Sequence, residues 1–264
     1  MELPRAAALV ARLEVLDEVG STNTELVRLV AADPEAWPAP AVLATDAQTA
    51  GRGRLGRAWS APAGGSLAVS VLLRPAVPRA RLGWLSLAAG TAMAQALGGL
   101  GVAARAKWPN DVLIDGRKVC GVLAEALPEP SSAAGRRGSG VVIGAGLNHA
   151  ARREDLPVPT ATSLAEEGGP VDPDLLVAAW LERLLPLVAA FERAGGDADA
   201  SGLRAAVLAA SDTIGRRVRV TSAGEPVVGE AVDIDAEGRI LVDRGPVLGT
   251  AACASGDVEH LRYE

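Results

Sequence analysis

The chain has 264 residues, 49% of them hydrophobic, and a formal net charge of −6. This length and apolar content suffice for one large domain and a small second one. The acidic balance argues against non-specific nucleic-acid binding, which needs a basic face. Cys120 and Cys253 lie far apart, and no apolar run reaches the ~18 residues of a membrane span. We therefore expect reduced thiols in a cytoplasmic protein.

Near the N-terminus, a short apolar segment at residues 13–16 predicts a strand, and a polar cluster follows it. Ser21, Thr22 and Asn23 directly precede an amphipathic stretch that ends at Asp33. A Ser or Thr in this position is typical of a helix N-cap. The cluster is therefore either a cap alone or a set of hydroxyl and amide groups that bind a polar ligand.

Residues 51–59 read GRGRLGRAW and follow a predicted buried strand at residues 41–45. Three glycines alternate with three arginines, which disfavours both helix and strand. Guanidinium groups and converging backbone amides suit a phosphate or a carboxylate, although a solvated basic loop has the same composition. The G-x-G-x-x-G spacing does not indicate a dinucleotide site, because no helix opens at its third glycine and no acid stands roughly 20 residues further on.

A predicted strand at residues 66–73 and a helix at residues 79–97 lead to a second polar region. The only two lysines of the chain, Lys107 and Lys118, flank Asn110 and Asp111 there. Apolar runs on either side of Asp115-Gly116 predict a hairpin. Two cations, an amide and a carboxylate at its base fit either a phosphate and metal site or a plain charged edge hairpin.

The remainder divides into a helical part and a β-rich part. Residues 128–140 predict an exposed loop, and residues 141–147 predict a buried strand whose glycines permit close approach. Asn148 follows that strand, and helices are predicted at residues 172–194 and 203–210. Short strands at 214–221, 227–234 and 239–242 indicate a small all-β module, consistent with a five-stranded barrel. We expect domains at residues 1–211 and 212–264.

Six of these stretches, in their order and spacing, resemble the biotin protein ligases. They are STN at 21–23, Gln48 with GRGRLGRAW, KWPND at 107–111, GRKVCGVLAE at 116–125, GAGLN at 144–148 and SGDVEHLR near the C-terminus. The resemblance implies an α+β fold: a central mixed β-sheet with flanking helices, then a small SH3-like β-barrel. It also implies a ligase that uses ATP and Mg²⁺ to form biotinyl-5′-AMP and then biotinylates a lysine.

The resemblance assigns roles residue by residue. Biotin would be held by Ser21, Thr22, Asn23, Gln48, Arg52, Gly53, Arg54 and Lys118. ATP and the adenylate would face Arg57, Trp59, Lys107, Asn110 and Asn148. Lys118 and Arg54 would be catalytic, and Asp111 is a candidate Mg²⁺ ligand.

The implied partner is the biotin carboxyl carrier domain of an acyl-CoA carboxylase. Some family members carry an N-terminal helix-turn-helix domain, but here the STN motif begins at residue 21. We therefore expect a ligase that binds neither DNA nor membrane and does not repress transcription. Leu55 stands where some members have another arginine, which leaves a monomer or a weak homodimer open.

Three rival functions are weighed against this resemblance. Within the same fold, the rival is a lipoate or octanoate ligase or transferase, which lacks the GRGRLGR loop. A nucleic-acid-binding module would use the arginine-rich loop and the terminal β-module, but the acidic net charge counts against it. A dinucleotide oxidoreductase is disfavoured by the surroundings of the glycines at residues 51–56.

Overall fold

A seven-stranded mixed sheet forms the centre of the first part of the chain. The computed structural model describes residues 1–127, 140–222, 224–254 and 256–261. The first nine strands are β1 (Arg12–Val15), β2 (Ala41–Thr45), β3 (Gly51–Arg52), β4 (Ala58–Trp59), β5 (Ser66–Leu73), β6 (Ala104–Lys107), β7 (Asp111–Ile114), β8 (Arg117–Ala126) and β9 (Val141–Asn148). In space the large sheet runs β1-β2-β5-β9-β8-β7-β6. Only the β1–β2 pair is parallel among the described strands of this sheet.

The sheet is buried on both faces, which explains why its central strands read as apolar runs. Along β5, Leu67, Val69 and Val71 belong to the larger core cluster. The alternate residue Leu72 packs in a second cluster on the opposite face. Because side chains alternate along a strand, Ser70 also points to this second face, where its hydroxyl contacts Thr22.

Five α-helices cover these faces within the described residues. They are α1 (Pro4–Ala7), α2 (Thr22–Ala32), α3 (Trp84–Gly99), α4 (Pro173–Arg193) and α5 (Leu203–Ala210). Helix α3 is buried on nearly all sides because it lies between the sheet and α4. Helix α2 packs on the other face, against β2, β5 and β9. The site described below opens on the α2 face. No helix in the part of the chain that the structure describes is long and apolar enough to cross a membrane.

Two of the predicted helices begin with a side-chain N-cap. Ser21 precedes α2 and its Oγ accepts a bond from the Thr24 amide at 3.5 Å. Asp172 precedes α4, and its carboxylate accepts from the Asp174 amide at 3.0 Å and from the Leu175 amide at 3.4 Å. Satisfying otherwise unpaired amides in this way stabilises a helix by about 1 kcal/mol for each capping residue.

The second sheet is antiparallel and follows the last helix. Its strands are β10 (Arg217–Thr221), β11 (Val227–Ile234), β12 (Ile240–Asp243), β13 (Thr250–Cys253) and β14 (Asp257–His260), in the order β13-β12-β11-β10-β14. This module docks on α3 and on the turn after β6. The indole of Trp84 donates to Ala236 O at 2.9 Å, and that of Trp108 to Gly238 O at 3.3 Å. The predicted fold class, a mixed sheet with helices and a small C-terminal β-module, is confirmed.

Several local predictions need correction. Residues 51–59, whose composition disfavours strand, contain a short antiparallel strand pair in which Gly51 pairs with Trp59 and Arg52 with Ala58. Helix α3 begins at Trp84, five residues after the predicted start, and a separate 3₁₀ turn covers Arg79–Arg81. Strand β10 starts at Arg217 rather than at residue 214, and β13 and β14 were not predicted as strands. The loop predicted at 128–140 lies outside the described residues except for its last position. The boundary at residue 211 stays a prediction.

Candidate active site

A cleft opens between α2, the arginine loop (residues 51–59) and strands β7, β8 and β9. It brings together most of the side chains that the sequence marks out. Its lining includes Ser21, Thr22, Asn23, Gln48, Arg52, Gly53, Arg54, Arg57, Trp59, Asn110, Asp111 and Lys118. Twelve of the fourteen predicted site residues therefore face one cavity.

One end of the cleft is a buried polar cluster at the start of α2. Gln48 Oε1 accepts from the Thr22 amide at 2.9 Å and lies 3.2 Å from the Thr22 hydroxyl. Ser70 Oγ lies 2.7 Å from Thr22 Oγ1 and 2.6 Å from Asn23 Oδ1. Buried polar groups need such partners. This arrangement fixes a hydroxyl and an amide at the bottom of the cleft.

Asn23 braces this end of the cleft against the sheet. Its side-chain nitrogen donates to Leu123 O at 3.1 Å and to Glu125 Oε2 at 2.9 Å, while its oxygen accepts from Ser70. All of its hydrogen-bonding groups therefore have protein partners. The contact with β9 is very close, since a Cβ on Gly144 would lie 2.3 Å from Asn23 Oδ1.

Glycines form the floor of the other end. A Cβ on Gly146 would lie 2.5 Å from the indole of Trp59, and one on Gly121 would lie 3.2 Å from it. The absence of side chains on these two adjacent strands makes room for the Trp59 ring. The sequence prediction of close approach at the glycines of residues 141–147 is therefore confirmed.

Lys118 enters the cleft because of a β-bulge. The β7–β8 register shifts between Val112 and Leu113, which leaves Val119 unpaired. A bulge rotates the side chains on either side of it relative to simple alternation. Val119 and Cys120 are therefore both in the core, and Lys118 shares the cleft face with Gly121.

The Lys118 ammonium has two neighbours. It forms an ion pair with Asp111 Oδ1 at 2.6 Å, and it lies 5.5 Å from the centre of the Trp59 ring. Its backbone is held by residues 160–162, where its amide donates to Thr160 O at 2.7 Å and its carbonyl accepts from Thr162 at 2.8 Å. These two hydrogen bonds fix the backbone from which the ammonium reaches into the cleft.

Each arginine of the loop has an acceptor. Arg52 pairs with Glu125 at 2.9 Å, Arg54 donates to Asn110 Oδ1 at 3.1 Å, and Arg57 pairs with Asp257. Burial lowers the pKa of Arg54, and the charges of Asp257 and Asp111 oppose that shift. A guanidinium keeps its proton at neutral pH in such a setting, so all three arginines present positive charge.

Two predicted residues lie outside the cleft lining. Lys107 lines a smaller cavity behind it, together with Thr91 and Trp108. Asn148 is 4% exposed and donates to Thr162 O at 3.0 Å, so it fixes the segment that holds Lys118. Ser70, Glu125 and Asp257 contact the site but had no predicted role. Within the described ranges, no group of three or more His, Cys, Asp or Glu side chains is arranged to hold a metal ion.

Comparison with known proteins agrees with this geometry. The model of the biotin/lipoate A/B protein ligase family matches residues 17–148, and that of the biotin protein ligase C-terminal domain matches residues 213–261. The chain therefore belongs to the biotin/lipoate A/B protein ligase family.

Individual relatives extend the match to nearly the whole chain. The biotin–[acetyl-CoA-carboxylase] ligase of Mycobacterium tuberculosis is 38% identical over 95% of this chain and 90% of its own length. That of Paracoccus denitrificans is 35% identical over 88% and 94%. The biotin protein ligase from Aquifex aeolicus in complex with biotin and ATP superposes with a TM-score of 0.75 at 26% identity, covering 96% of this chain and 100% of that one.

Proposed function

We propose that this chain is a biotin–[biotin carboxyl-carrier protein] ligase that activates biotin with ATP and transfers it to a lysine. The observation that carries the proposal is that one cleft joins a buried polar cluster, Thr22 with Gln48, to four cations. The cluster matches a neutral polar group, and the cations match a carboxylate meeting a phosphate. The named relatives carry out this type of ligation across nearly the same length of chain.

The polar end suits the ureido group of biotin. That group carries two N–H donors and one carbonyl acceptor on a rigid ring. The Thr22 hydroxyl and the Gln48 amide, both held by neighbours, provide fixed donors and acceptors. Ser21 and Asn23 hold the helix start that presents Thr22. A preorganised pocket of this kind costs little ordering entropy when the ligand binds.

The cationic end suits the chemistry of adenylate formation. A carboxylate oxygen of biotin attacks the α-phosphorus of ATP, a new P–O bond forms, and pyrophosphate leaves with the electrons of the broken bond. Two anions must approach each other, so Lys118 and Arg54 would offset their repulsion and the charge that develops on the α-phosphate. Arg52 and Gly53 would close the loop over the product. Holding both reactants in one geometry provides much of the remaining acceleration.

The nucleotide side of the site would involve the far end of the loop. Arg57, Trp59 and Asn110 line the cleft and would face ATP. The Trp59 ring covers the glycine floor between β8 and β9, so an adenine would stack on it or replace it there. Lys107 and Asn148 would act from behind this lining, through the turn after β6 and through Thr162.

Mg²⁺ would come with the nucleotide. Asp111 is paired with Lys118, and Mg²⁺ commonly uses one or two carboxylates together with substrate phosphates. Asp111 therefore fits a single protein ligand to a phosphate-bound ion, whose positive charge would lower repulsion between the phosphates and biotin.

In the second half-reaction, the amine of an acceptor lysine attacks the acyl carbon of biotinyl-5′-AMP. An amide bond forms, AMP leaves, and the amine loses a proton. The acceptor is the biotin carboxyl carrier domain of an acyl-CoA carboxylase. A cytoplasmic location and a monomer or weak homodimer remain part of this proposal.

ATP–pyrophosphate exchange tests the proposal. Purified protein is incubated with ATP, Mg²⁺ and labelled pyrophosphate, together with biotin, lipoate or no acid. We expect label to enter ATP only with biotin. Exchange with lipoate alone would assign the chain to the other branch of the family, and exchange with neither acid would contradict a ligase function.

A further inference from the structure

The arginine loop is held by contacts outside itself. Its two strands, β3 and β4, have two residues each, and a hairpin of that size is not stable alone. Between them Leu55 has a positive φ of 55° and is 70% exposed. A left-handed backbone conformation is unfavourable for leucine, and an exposed side chain gains nothing from burial. Leu55 therefore does not stabilise the turn. The conformation of the loop therefore depends on its outside contacts, which are the packing of Trp59 on the glycine floor and the partners of its arginines.

Two of those partners belong to the C-terminal sheet. Arg57 forms an ion pair with Asp257, the first residue of β14, and the two are 200 residues apart in sequence. Arg54 Nη1 lies 3.4 Å from the carbonyl oxygen of Gly256 next to it. Asp257 also lines the cleft. The edge strand of the small sheet thus reaches the tip of the loop and contacts it twice.

We propose that Asp257 is a positioning residue that holds the arginine loop over the cleft and, on the proposed function, slows the escape of the adenylate. The carboxylate faces Arg57 directly and Arg54 at longer range, so it favours the closed loop through two charges. It touches no reacting atom and acts only through these arginines. The C-terminal sheet is in this way part of the active-site cover.

The same strand offers a matched control. Glu259 lies two residues further along β14 and pairs with Arg219 of the neighbouring strand at 3.5 Å. It is exposed like Asp257, but it does not line the cleft. Glu259→Gln changes the net charge of the protein and of β14 by the same amount as Asp257→Asn does. Glu259→Gln therefore separates loss of the tether from loss of a surface carboxylate.

Trypsin measures the tether without any ligand. Each loop arginine is a cleavage site, and cleavage follows the population of the open loop when reclosing is fast. We expect Asp257→Asn to raise the initial cleavage rate after residues 52, 54 and 57 by about two- to fivefold, the range of an exposed ion pair. Glu259→Gln should leave the rate unchanged, and Asp257→Glu should restore it. An unchanged rate in Asp257→Asn, or an equal rise in Glu259→Gln, would overturn the proposal.

Release of labelled biotinyl-AMP provides the second readout. The intermediate is formed from biotin and ATP, separated by gel filtration, and followed as it leaves the protein. We expect Asp257→Asn to release it faster by a similar factor while its melting temperature equals that of Glu259→Gln. Unchanged release despite faster cleavage would refute the effect on the intermediate. If the unsubstituted protein formed no adenylate, the proposed function would fail, and the trypsin comparison would still decide the tether.

Discussion

Two glycines on one strand allow a sharp test of the site geometry. Gly144 and Gly146 lie on the same face of β9, and an added Cβ would lie 2.3 Å from Asn23 Oδ1 at the first and 2.5 Å from the Trp59 indole at the second. The clashes are of similar size. What differs is whether the neighbour can move, because Asn23 is buried and fully bonded whereas Trp59 lies on a short loop.

We expect Gly144→Ala to be costly. Asn23 would have to leave its position and lose bonds to Ser70, Leu123 and Glu125. Three bonds at about 0.5–1.5 kcal/mol each come to roughly 3 kcal/mol, and the lower entropy of the unfolded chain offsets about 0.4–1 kcal/mol of this. A net loss of about 2 kcal/mol lowers the melting temperature by roughly 4–8 °C for a chain of this size.

Gly146→Ala should instead move Trp59 and leave stability within about 0.5 kcal/mol of the original value. Urea titration and thermal melting of both variants provide the comparison, and calorimetric titration with biotin should show a weaker affinity for Gly144→Ala. Equal losses of stability in the two variants would refute the claim that Trp59 can move away from an added Cβ and Asn23 cannot. A Gly144→Ala protein as stable as the original would refute the bonding assigned to Asn23.

Two further outcomes are expected. Lys118→Ala should slow adenylate formation by about 10²–10³-fold, the usual cost of losing one charge-stabilising group, with a stability change below about 1 kcal/mol. The control is Arg117→Ala, which removes the neighbouring cation that pairs with Glu167 outside the cleft. Near-normal turnover of the Lys118 variant, or an equal loss of activity in the Arg117 control, would contradict the catalytic role of Lys118. Burial and the nearby charge of Lys107 lower the pKa of His260 to about 4. Between pH 6.5 and 4 this histidine is therefore protonated in the unfolded chain but not in the folded one. The free energy of unfolding falls as the pH falls through this range, by about 1–3 kcal/mol. Thermal melts from pH 7.5 to 5 should show a smaller drop for His260→Gln, and an identical drop would refute the assignment.

The sequence predicts the strands of the large sheet well because local pattern and burial agree there. Strands β2, β5 and β9 are apolar runs bounded by turn residues, and the hairpin at Asp115-Gly116 has its own local signal. The twelve predicted residues that line the cleft came from ordered motifs rather than from periodicity. Ser70 has a sequence signal of its own, because it is a polar residue in the middle of an otherwise apolar strand.

Other features depend on geometry that no local pattern contains. Simple alternation places Lys118 on the same face as Cys120, and only the bulge at Val119 brings it into the cleft. The contact between Arg57 and Asp257 joins residues 200 positions apart. Lys107 is close to Asn110 in sequence and lines the same smaller cavity, but unlike Asn110 it does not also line the cleft. Proximity in sequence therefore predicted which segments form the site, but not which of their side chains line the cleft.

The charges of the cleft explain how four cations can lie close together in one site. Three loop arginines and Lys118 converge on it, and Glu125, Asp257 and Asp111 pair with three of these four cations. The cleft therefore has close to balanced charge, and the repulsion among its cations is largely offset. On the proposed function, a carboxylate and a phosphate that bind would replace the protein carboxylates as partners of these cations, so each new contact would exchange one ion pair for another. Binding strength would thereby be moderated, while the cations would already hold the positions that the transition state needs.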